Sequence, residues 1–159
     1  MNLSPEDVQR AVGEARGAAY AEIRYHSRNL NEVRIVKGEL EEAKSTSYEG
    51  VGVRVLVDGA WGFTSTSNLT LKGLQTSLND AIIIAKNSSP AKIVKVKRLA
   101  DAKLARGKYA PAIHDPVVNH SIEEKVRLVK ETEALTRSHT PAVRSASCSY
   151  REILDSKMI

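Results

Sequence analysis

The sequence predicts an α+β fold: a twisted, mostly antiparallel sheet packed by helices and followed by the start of a second region. Three observations favour it. Segments with alternating apolar and polar residues, typical of half-buried strands, dominate residues 21–66. Asp58-Gly59 lies between two runs rich in β-branched residues, which is typical of a type I′ hairpin turn. Stretches with helical start signals and apolar stripes lie before and after these strands.

The first helix has a complete start signal. Ser4 is the predicted N-cap, Pro5 occupies the first helical position, and Asp7 acts as a short capping-box partner. Leu3 and Val8 are spaced as a hydrophobic staple. The apolar face has a helical spacing, and Gly17 is the predicted end; the face consists of Val8, Ala11, Val12 and Ala15.

A β region follows. Ala21, Ile23 and Tyr25 alternate with polar residues and predict a first strand, after which residues 27–31 predict a turn. Val33 and Ile35 predict a second strand. Gly38 ends it, and residues 39–50 continue as a more polar extended segment.

The segment 50–66 gives the strongest local signal. A two-residue loop at Asp58-Gly59 sets the pairs Val57 with Ala60, Leu56 with Trp61, Val55 with Gly62, and Arg54 with Phe63. Both faces are then apolar, so we expect a central hairpin that is covered on both sides. Gly62 predicts close approach of another element. Arg54 is placed for a structural cation–π contact with Trp61 or Phe63.

A second helix is predicted with Thr70 or Asn68 as its cap and a buried stripe widened by Ile83 and Ile84; the stripe is Leu71, Leu74, Leu78, Ala81, Ile82 and Ala85. Residues 88–112 are interpreted as a basic linker, in which Ile93, Val94 and Val96 are also compatible with a short edge strand.

A third helix opens with a capping box at Ser121 and Glu124 and has an apolar stripe of Ile122, Val126, Val129 and Thr132. A last strand begins near Val143.

Composition excludes several classes of protein. The 159 residues hold 42% apolar but only 4% aromatic residues, so the core is built mainly from aliphatic side chains. No apolar run approaches about 18 residues, so we expect no membrane span. The N-terminus lacks the pattern of a secretory signal. A single cysteine, Cys148, excludes an internal disulfide framework and suits a reducing cytosol. We therefore expect a soluble, cytoplasmic protein.

Candidate chemical groups are few. None of the four histidines lies in a His-Glu-x-x-His pattern. His114, Asp115 and His120 are close in sequence, but we favour loop roles over metal binding. Cys148 has no predictable neighbouring base, and the acidic cluster Glu39, Glu41 and Glu42 is explained by a solvated strand. We predict no catalytic, cofactor-binding or metal-binding residue in this chain.

The net charge of +5 raises nucleic acid as a partner. The basic residues cluster in the linker: Lys92, Lys95, Lys97, Arg98, Lys103, Arg106 and Lys108. The cluster lacks interleaved aromatic residues and matches no recognition motif, so we favour a solvated linker.

Residues 31–86 resemble the N-terminal domain of the TldD/PmbA family. The likeness includes residues 31–41, which follow the family's "N-x-V-x-V-K-G-x-L-E" pattern with one additional residue before Val36, a helix opening after Asn68-Leu69-Thr70, and "G-x-G-V-R-V-x-V-D-G-x-W-G-F" at residues 50–63. The last stretch is the most specific and is carried by Arg54, Asp58, Gly59, Trp61, Gly62 and Phe63. Residues 109–150 are similar to the start of the family's middle region. The sequence of residues Gly59–Phe63 favours the TldD-like branch of the family.

The resemblance implies a cytosolic zinc metalloprotease that acts on unfolded or leader peptides. Zinc would be held by a His-Glu-x-x-x-His helix and a distant cysteine in later domains, and Cys148 does not match that ligand. A TldD/TldE-type homo- or heterodimer partner is implied. We expect residues 1–87 to form the N-terminal domain, 88–112 the linker and 113–159 the start of a truncated middle domain. The expected role is a scaffold and dimerisation segment without the catalytic domain. The alternatives are a non-catalytic PmbA/TldE-like partner subunit or a basic module that binds nucleic acid or gyrase.

Overall fold

The computed structural model of the chain describes residues 3–102 and 106–159. Helix α1 (Pro5–Gly13) is followed by strands β1 (Tyr20–Val36), β2 (Glu39–Val57) and β3 (Ala60–Thr66), helix α2 (Leu71–Ser88), helix α3 (Ile122–Ser138) and strand β4 (Ser147–Met158). Two short 3-10 turns occupy Ser89–Ala91 and Val117–Asn119. The strands form one open sheet in the order β3-β2-β1-β4. The predicted α+β class is confirmed.

The strands are antiparallel. In the β2–β3 hairpin, Val57 pairs with Ala60, Leu56 with Trp61, Val55 with Gly62 and Arg54 with Phe63, as predicted. Asp58 and Gly59 both have positive φ, at 49° and 79°. Lys37 and Gly38, with φ of 51° and 86°, form an equivalent two-residue turn between β1 and β2. On the other side of β1, Lys37 N–H donates to the Ala146 carbonyl and Arg151 pairs with Glu32, so the partners run in opposite order.

The chain divides into two compact units. The first holds the described residues of Met1–Ser27, Tyr48–Leu104 and Asp155–Ile159, and the second holds those of Arg28–Ser47 and Ala105–Leu154. Strands β1, β2 and β4 therefore each contribute residues to both units. The domain boundaries that the sequence suggests at residues 87 and 112 remain a prediction.

The core of the first unit lies between the β2–β3 hairpin and helices α1 and α2. Alternate residues of β2 point to this core, namely Val51, Val53, Val55 and Val57, and meet the α2 stripe of Leu74, Leu78, Ala81 and Ala85. The predicted capping box of Ser4 and Asp7 is present, and Thr70 caps α2 by accepting from Gly73 N–H. Gly62 allows α2 to approach, because a Cβ built there would lie 1.9 Å from the Ala81 carbonyl oxygen.

The core of the second unit is small. Val33 and Ile35 of β1 pack against Val129 of α3, with Val126, Cys148 and Tyr150 partly buried beside them. The capping box of Ser121 and Glu124 is present as predicted. The predicted α3 stripe is wrong in part, because Ile122 and Thr132 are exposed and the buried positions are Lys125, Val129 and Glu133. The two charged side chains are buried because each has an ionic partner.

Three strand predictions require correction. The predicted turn at residues 27–31 is part of the 17-residue strand β1, in which polar side chains meet partners from other strands: Asn29 accepts from Ser47, and Asn31 donates to Glu152. The hairpin is not central, because β3 lies at the sheet edge and Phe63 is 59% exposed. The last strand begins at Ser147 rather than near Val143, and β1 is its neighbour.

Two apolar segments are more exposed than predicted. Ile83 and Ile84 lie on the outer side of α2, at 54% and 43% exposure, so they do not widen the buried stripe. Ile93 and Val94 belong to no strand and are exposed, although Val96 N–H donates to the Gly59 carbonyl. Among the helices of the described ranges, none combines the length and the apolar character needed to cross a bilayer.

Candidate functional site

The residues of the Gly50–Phe63 motif divide between the two faces of the hairpin. Arg54, Trp61 and Phe63 lie on the face opposite the helices, which we call the outer face. Gly62 lies on the inner face against α2. Asp58 and Gly59 form the turn, where Ser89 Oγ donates to the Asp58 carbonyl at 2.9 Å and Lys95 packs over Gly59. Some residues of the motif therefore pack against α2 or form the turn, and others form the surface of the outer face.

Aromatic rings and one guanidinium cluster on the outer face. The Arg54 Cζ lies 5.1 Å from the Trp61 ring centroid and 5.8 Å from that of Tyr20, so the predicted cation–π contact is present. Trp61 contacts Tyr20 edge-on at 6.0 Å and Phe63 at 6.2 Å between centroids. Phe63 is the exposed end of this row.

A buried carboxylate organises the charges beneath the rings. Glu22 is only 9% exposed and accepts hydrogen bonds from the Tyr20 hydroxyl, from Arg24 and, at 2.9 Å, from Arg54 Nη2. Burial by itself raises the pKa of Glu22, but the hydrogen bonds from Arg24, Tyr20 and Arg54 outweigh it, and the pKa lies below its ordinary value. Glu22 is therefore a fixed negative charge between two guanidinium groups.

A shallow groove, which we call the Gly52 groove, lies beside this network. It has a volume of about 250 Å³ and is lined by Glu22, Arg24, Gly52, Arg54, Phe63 and Thr64, among others. A Cβ built on Gly52 would meet no atom within 4 Å, so the floor is bare backbone under open space. The Nε of Arg54 is buried and donates no hydrogen bond within the part of the chain that the structure describes.

A second polar network lies in the other unit. Lys125 and Glu152 are both buried and their charged atoms lie 2.9 Å apart. The Tyr150 hydroxyl donates to Glu152 Oε2 at 2.6 Å, and Asn31 donates to Oε1. Burial, together with the hydrogen bond to Glu152, raises the pKa of Tyr150 to about 12. Every charged atom of the Lys125–Glu152 pair has a partner, so the buried charges of this network compensate each other.

The side chains considered as metal ligands form no site. His120 Nε2 lies 2.8 Å from Asp115 Oδ2, at an exposed position before α3, and His114 is exposed nearby. Within residues 3–102 and 106–159, no group of three or more His, Cys, Asp or Glu side chains is placed to hold a metal ion. Cys148 packs against the Val33–Val129 core, and Glu41 pairs with Arg34 at 2.9 Å.

The basic residues of the linker lie on the surface. Lys92, Lys95, Lys97, Arg98, Arg106 and Lys108 are exposed, while Lys103 lies outside the described residues. Arg98 pairs with Asp101, and Lys95 Nζ donates to Ser89 Oγ. Some of this positive charge therefore has local partners.

The outer face offers apolar contact through its row of aromatic rings, which ends at the exposed Phe63. Tyr20 and Glu22 were not predicted as members of this cluster, because neither is near Arg54 in the sequence. The alternation of Ala21, Ile23 and Tyr25 toward the core was the available signal, since it places Tyr20 and Glu22 on the opposite face.

Comparisons with known proteins agree on one family. A family model described as PmbA/TldA metallopeptidase domain 1 matches residues 21–85. The metalloprotease MJ0996 of Methanocaldococcus jannaschii is 26% identical over 163 residues, covering 99% of this chain and 33% of its own length. A zinc metalloprotease TldD homolog of Saccharolobus solfataricus is 27% identical over 145 residues, covering 86% of this chain and 28% of its own. The chain thus spans about one third of the length of the curated relatives it matches.

Solved structures show the same fold. A Thermotoga maritima protein, named for a proposed role as modulator of a DNA gyrase, superposes with a TM-score of 0.73 at 17% identity, covering 96% of this chain and 33% of that one. The structure of TldE from Thermococcus kodakarensis superposes with a TM-score of 0.62 at 15% identity, covering 94% and 35%. At these identities the likeness is one of fold alone.

Proposed function

This chain belongs to the TldD/PmbA family as an N-terminal part, and from that premise we propose that it is the scaffold and dimerisation segment of a zinc metallopeptidase that cleaves unfolded or leader peptides. The observation that carries the proposal is the alignment with MJ0996 across 99% of this chain, together with the domain 1 match at residues 21–85. Both the M. jannaschii and the S. solfataricus relatives are named as metalloproteases. A cytoplasmic location is part of the proposal.

The geometry supports a scaffold role. The hairpin is locked from the inner face by the close approach of α2 at Gly62 and from the outer face by the Glu22–Arg54 ion pair. The segment after α2 adds hydrogen bonds to the hairpin turn through Ser89 and Val96. A surface held from three sides loses little entropy when a partner or peptide docks on it.

The residues present do not fit a catalytic zinc site. Such a site uses three protein ligands and an open position, and the described residues bring no such group together. We propose that zinc is held elsewhere in the full-length protein, by residues outside 1–159. The partner would be a TldD/TldE-type subunit, in a homodimer or heterodimer.

The test is peptide cleavage by the protein encoded by the reading frame that contains residues 1–159. We expect cleavage of an unstructured synthetic peptide that stops with a chelator and returns with added zinc. A zinc-loaded protein that cleaves no unstructured peptide, alone or mixed with a TldE-type subunit, would refute the peptidase proposal. A folded substrate such as native lysozyme is the control and should remain intact.

The alternative proposal is a non-catalytic PmbA/TldE-like subunit. The fold shared with TldE supports this alternative. The two proposals differ in whether a His-Glu-x-x-x-His segment follows in the reading frame. The named TldD homolog and the Gly59–Phe63 motif favour the TldD-like branch.

A role in binding duplex DNA or gyrase has weaker support. It would rest on the exposed basic residues Lys95, Lys97 and Arg98, two of which have local partners. Binding to duplex DNA that weakens with added salt and disappears when all three residues are changed to Glu would support this role.

A further inference from the structure

Strand β3 forms one edge of the sheet. It is the last strand in the order β3-β2-β1-β4 and, within the described residues, pairs with β2 alone. Facing residues of an antiparallel pair alternate between bonded and non-bonded pairs, and the pair beside a two-residue turn, Val57 with Ala60, is bonded. The backbone N–H and C=O groups of Trp61 and Phe63 therefore point away from β2. A row of outward-pointing groups of this kind is a template for another strand.

The segment after α2 already contacts the start of this edge. Val96 N–H donates to the Gly59 carbonyl at 2.9 Å. That carbonyl points away from β2, because the Ala60 N–H of the same peptide unit points toward β2. Ser89 Oγ, at the end of α2, donates to the Asp58 carbonyl at 2.9 Å. The chain therefore arrives beside the first residue of β3, on the side of the free edge.

The order of elements fixes the direction in which the segment can continue. Helix α2 follows β3, and its C-terminal end returns to the hairpin turn, as the Ser89 contact shows. A segment that leaves from there along the edge runs in the same direction as β3. This parallel arrangement is the one that a strand–helix–strand connection produces.

We propose that residues 96–101 close onto β3 as a fifth strand, parallel to it, and that the Val96–Gly59 hydrogen bond is the first bond of this pairing. The register follows from that bond. The Val96 carbonyl accepts from Trp61 N–H, and Arg98 N–H donates to the Trp61 carbonyl. The Arg98 carbonyl then accepts from Phe63 N–H.

Closure covers part of the exposed aromatic surface. In the proposed register Leu99 lies beside Phe63, on the same face of the sheet. The Phe63 ring is 59% exposed in the described structure, so an aliphatic side chain placed there removes apolar surface from water. The fifth strand also occupies an edge that would otherwise be able to pair with another chain.

One ion pair opposes closure. Arg98 pairs with Asp101 in the described structure, and both side chains are exposed. In a strand, residues three positions apart point to opposite faces, so this pair must separate. An exposed ion pair contributes little to stability, which makes the open form of the segment easy to leave.

Amide hydrogen exchange of the full-length protein, resolved by residue, tests the proposal. The amides of Trp61 and Phe63 should exchange at least about tenfold more slowly than free amides. Arg98→Pro removes the donor to the Trp61 carbonyl and should return both amides to the free rate. Lys97→Pro is the matched control, because the Lys97 N–H points away from β3, and it should keep the protection.

The amides of Ala60 and Gly62, which point toward β2, should stay protected in every variant and report that the hairpin is folded. The proposal is overturned if Trp61 and Phe63 exchange at the free rate in the wild type, or if the two proline variants behave alike. Protection that rises with protein concentration would mean that a second copy pairs with β3. Protection that survives Arg98→Pro would mean that another segment covers the edge, and either result excludes residues 96–101 as the fifth strand.

Discussion

At the scale of single residues, Gly62 joins the family motif to the packing of α2. A Cβ at this position would lie 1.9 Å from the Ala81 carbonyl oxygen, 2.9 Å from the Ala81 carbonyl carbon and 3.0 Å from the Ala85 amide nitrogen. All three atoms belong to the helix backbone, so no side-chain rotation relieves the clash. The residue is glycine because the helix and the strand touch.

We therefore predict that Gly62→Val lowers the free energy of unfolding by about 3 kcal/mol or more, because α2 must move away from the hairpin. Urea denaturation followed by circular dichroism measures the change. The matched control is Gly52→Ala, on the opposite face, where stability should stay constant or rise by about 0.5 to 1 kcal/mol. Equal stabilities for Gly62→Val and wild type would show that α2 does not pack against Gly62 in solution.

Tyr150 provides a prediction for alkaline pH. Its pKa is raised to about 12 from an ordinary value of 10.0, by burial and by the hydrogen bond to Glu152. A raised pKa in the folded state means that the neutral phenol is favoured by folding. The stabilising contribution is complete below about pH 10 and is lost as the pH rises toward about 12.

Stability measured across this range should fall more steeply for the wild type than for Tyr150→Phe, which has no phenol to ionise. Tyr109→Phe removes a phenol that is 78% exposed and should leave the wild-type slope in place. The phenolate absorbance of the wild type and of Tyr150→Phe, recorded in parallel, identifies the contribution of Tyr150, because burial and hydrogen bonding also raise the pKa of Tyr20 and Tyr25. A Tyr150→Phe variant with the full wild-type slope would contradict the assignment.

At the scale of elements, the buried pair of Lys125 and Glu152 joins α3 to β4. The two side chains are 9% and 5% exposed, and Glu152 also accepts from Asn31 and Tyr150. Removing one member of such a pair leaves the other charge buried without compensation.

Lys125→Met should therefore lower the free energy of unfolding by about 3 to 5 kcal/mol. The Lys125→Met, Glu152→Leu double variant should recover part of that loss, because no lone charge remains. Lys130→Met, on the exposed side of the same helix, serves as the control and should change stability by no more than about 0.5 kcal/mol. Denaturation of all three variants tests the prediction, and a harmless Lys125→Met would exclude a buried pair.

The β1–β2 turn carries an unfavourable residue. Lys37 has a φ of 51°, a conformation that brings Cβ close to the backbone and costs free energy, whereas asparagine tolerates it better. Lys37→Asn should thus raise the free energy of unfolding by about 0.5 to 1 kcal/mol. Lys44→Asn, in the extended part of β2, is the comparison and should not stabilise the protein. A loss of stability in Lys37→Asn, measured by thermal unfolding, would argue against the type I′ turn.

At the scale of the whole molecule, the described part of the segment after α2 lacks regular secondary structure. Residues 92–102 form no helix or strand, and Lys92, Lys95, Lys97 and Arg98 are exposed. Trypsin needs an exposed and extended site, and in β1 the backbone around Arg34 is held in the sheet.

The first tryptic cuts should fall after the exposed basic residues of the linker, before any cut in β1 or α2; these residues are Lys92, Lys95, Lys97, Arg98, Arg106 and Lys108. Mass spectrometry of a time course identifies the cut sites. Changing these residues and Lys103 to glutamine should delay the appearance of the first fragments several-fold. First cuts within β1 or α2 would contradict the interpretation of this segment as a linker.

Much of the fold follows from short-range signals in the sequence. The capping boxes at Ser4 and Ser121, the Asp58-Gly59 turn and the register of the β2–β3 hairpin all depend on residues a few positions apart. Such contacts depend mainly on residues close in the sequence, which is why they are predictable. The close approach at Gly62 was predictable for a related reason, since a glycine within a strand has few other uses.

The sequence by itself therefore determined the α+β class, the hairpin register and the likeness to the TldD/PmbA family. Only the tertiary structure decided which residues form the outer face, that β1 runs unbroken through residues 27–31, and that Lys125 and Glu133 are buried. The physical reason is distance along the chain. Asn31 and Glu152 are 121 positions apart in the sequence, and Arg54 and Glu22 are 32 positions apart. No local sequence pattern predicts which polar side chains will meet once the strands have paired.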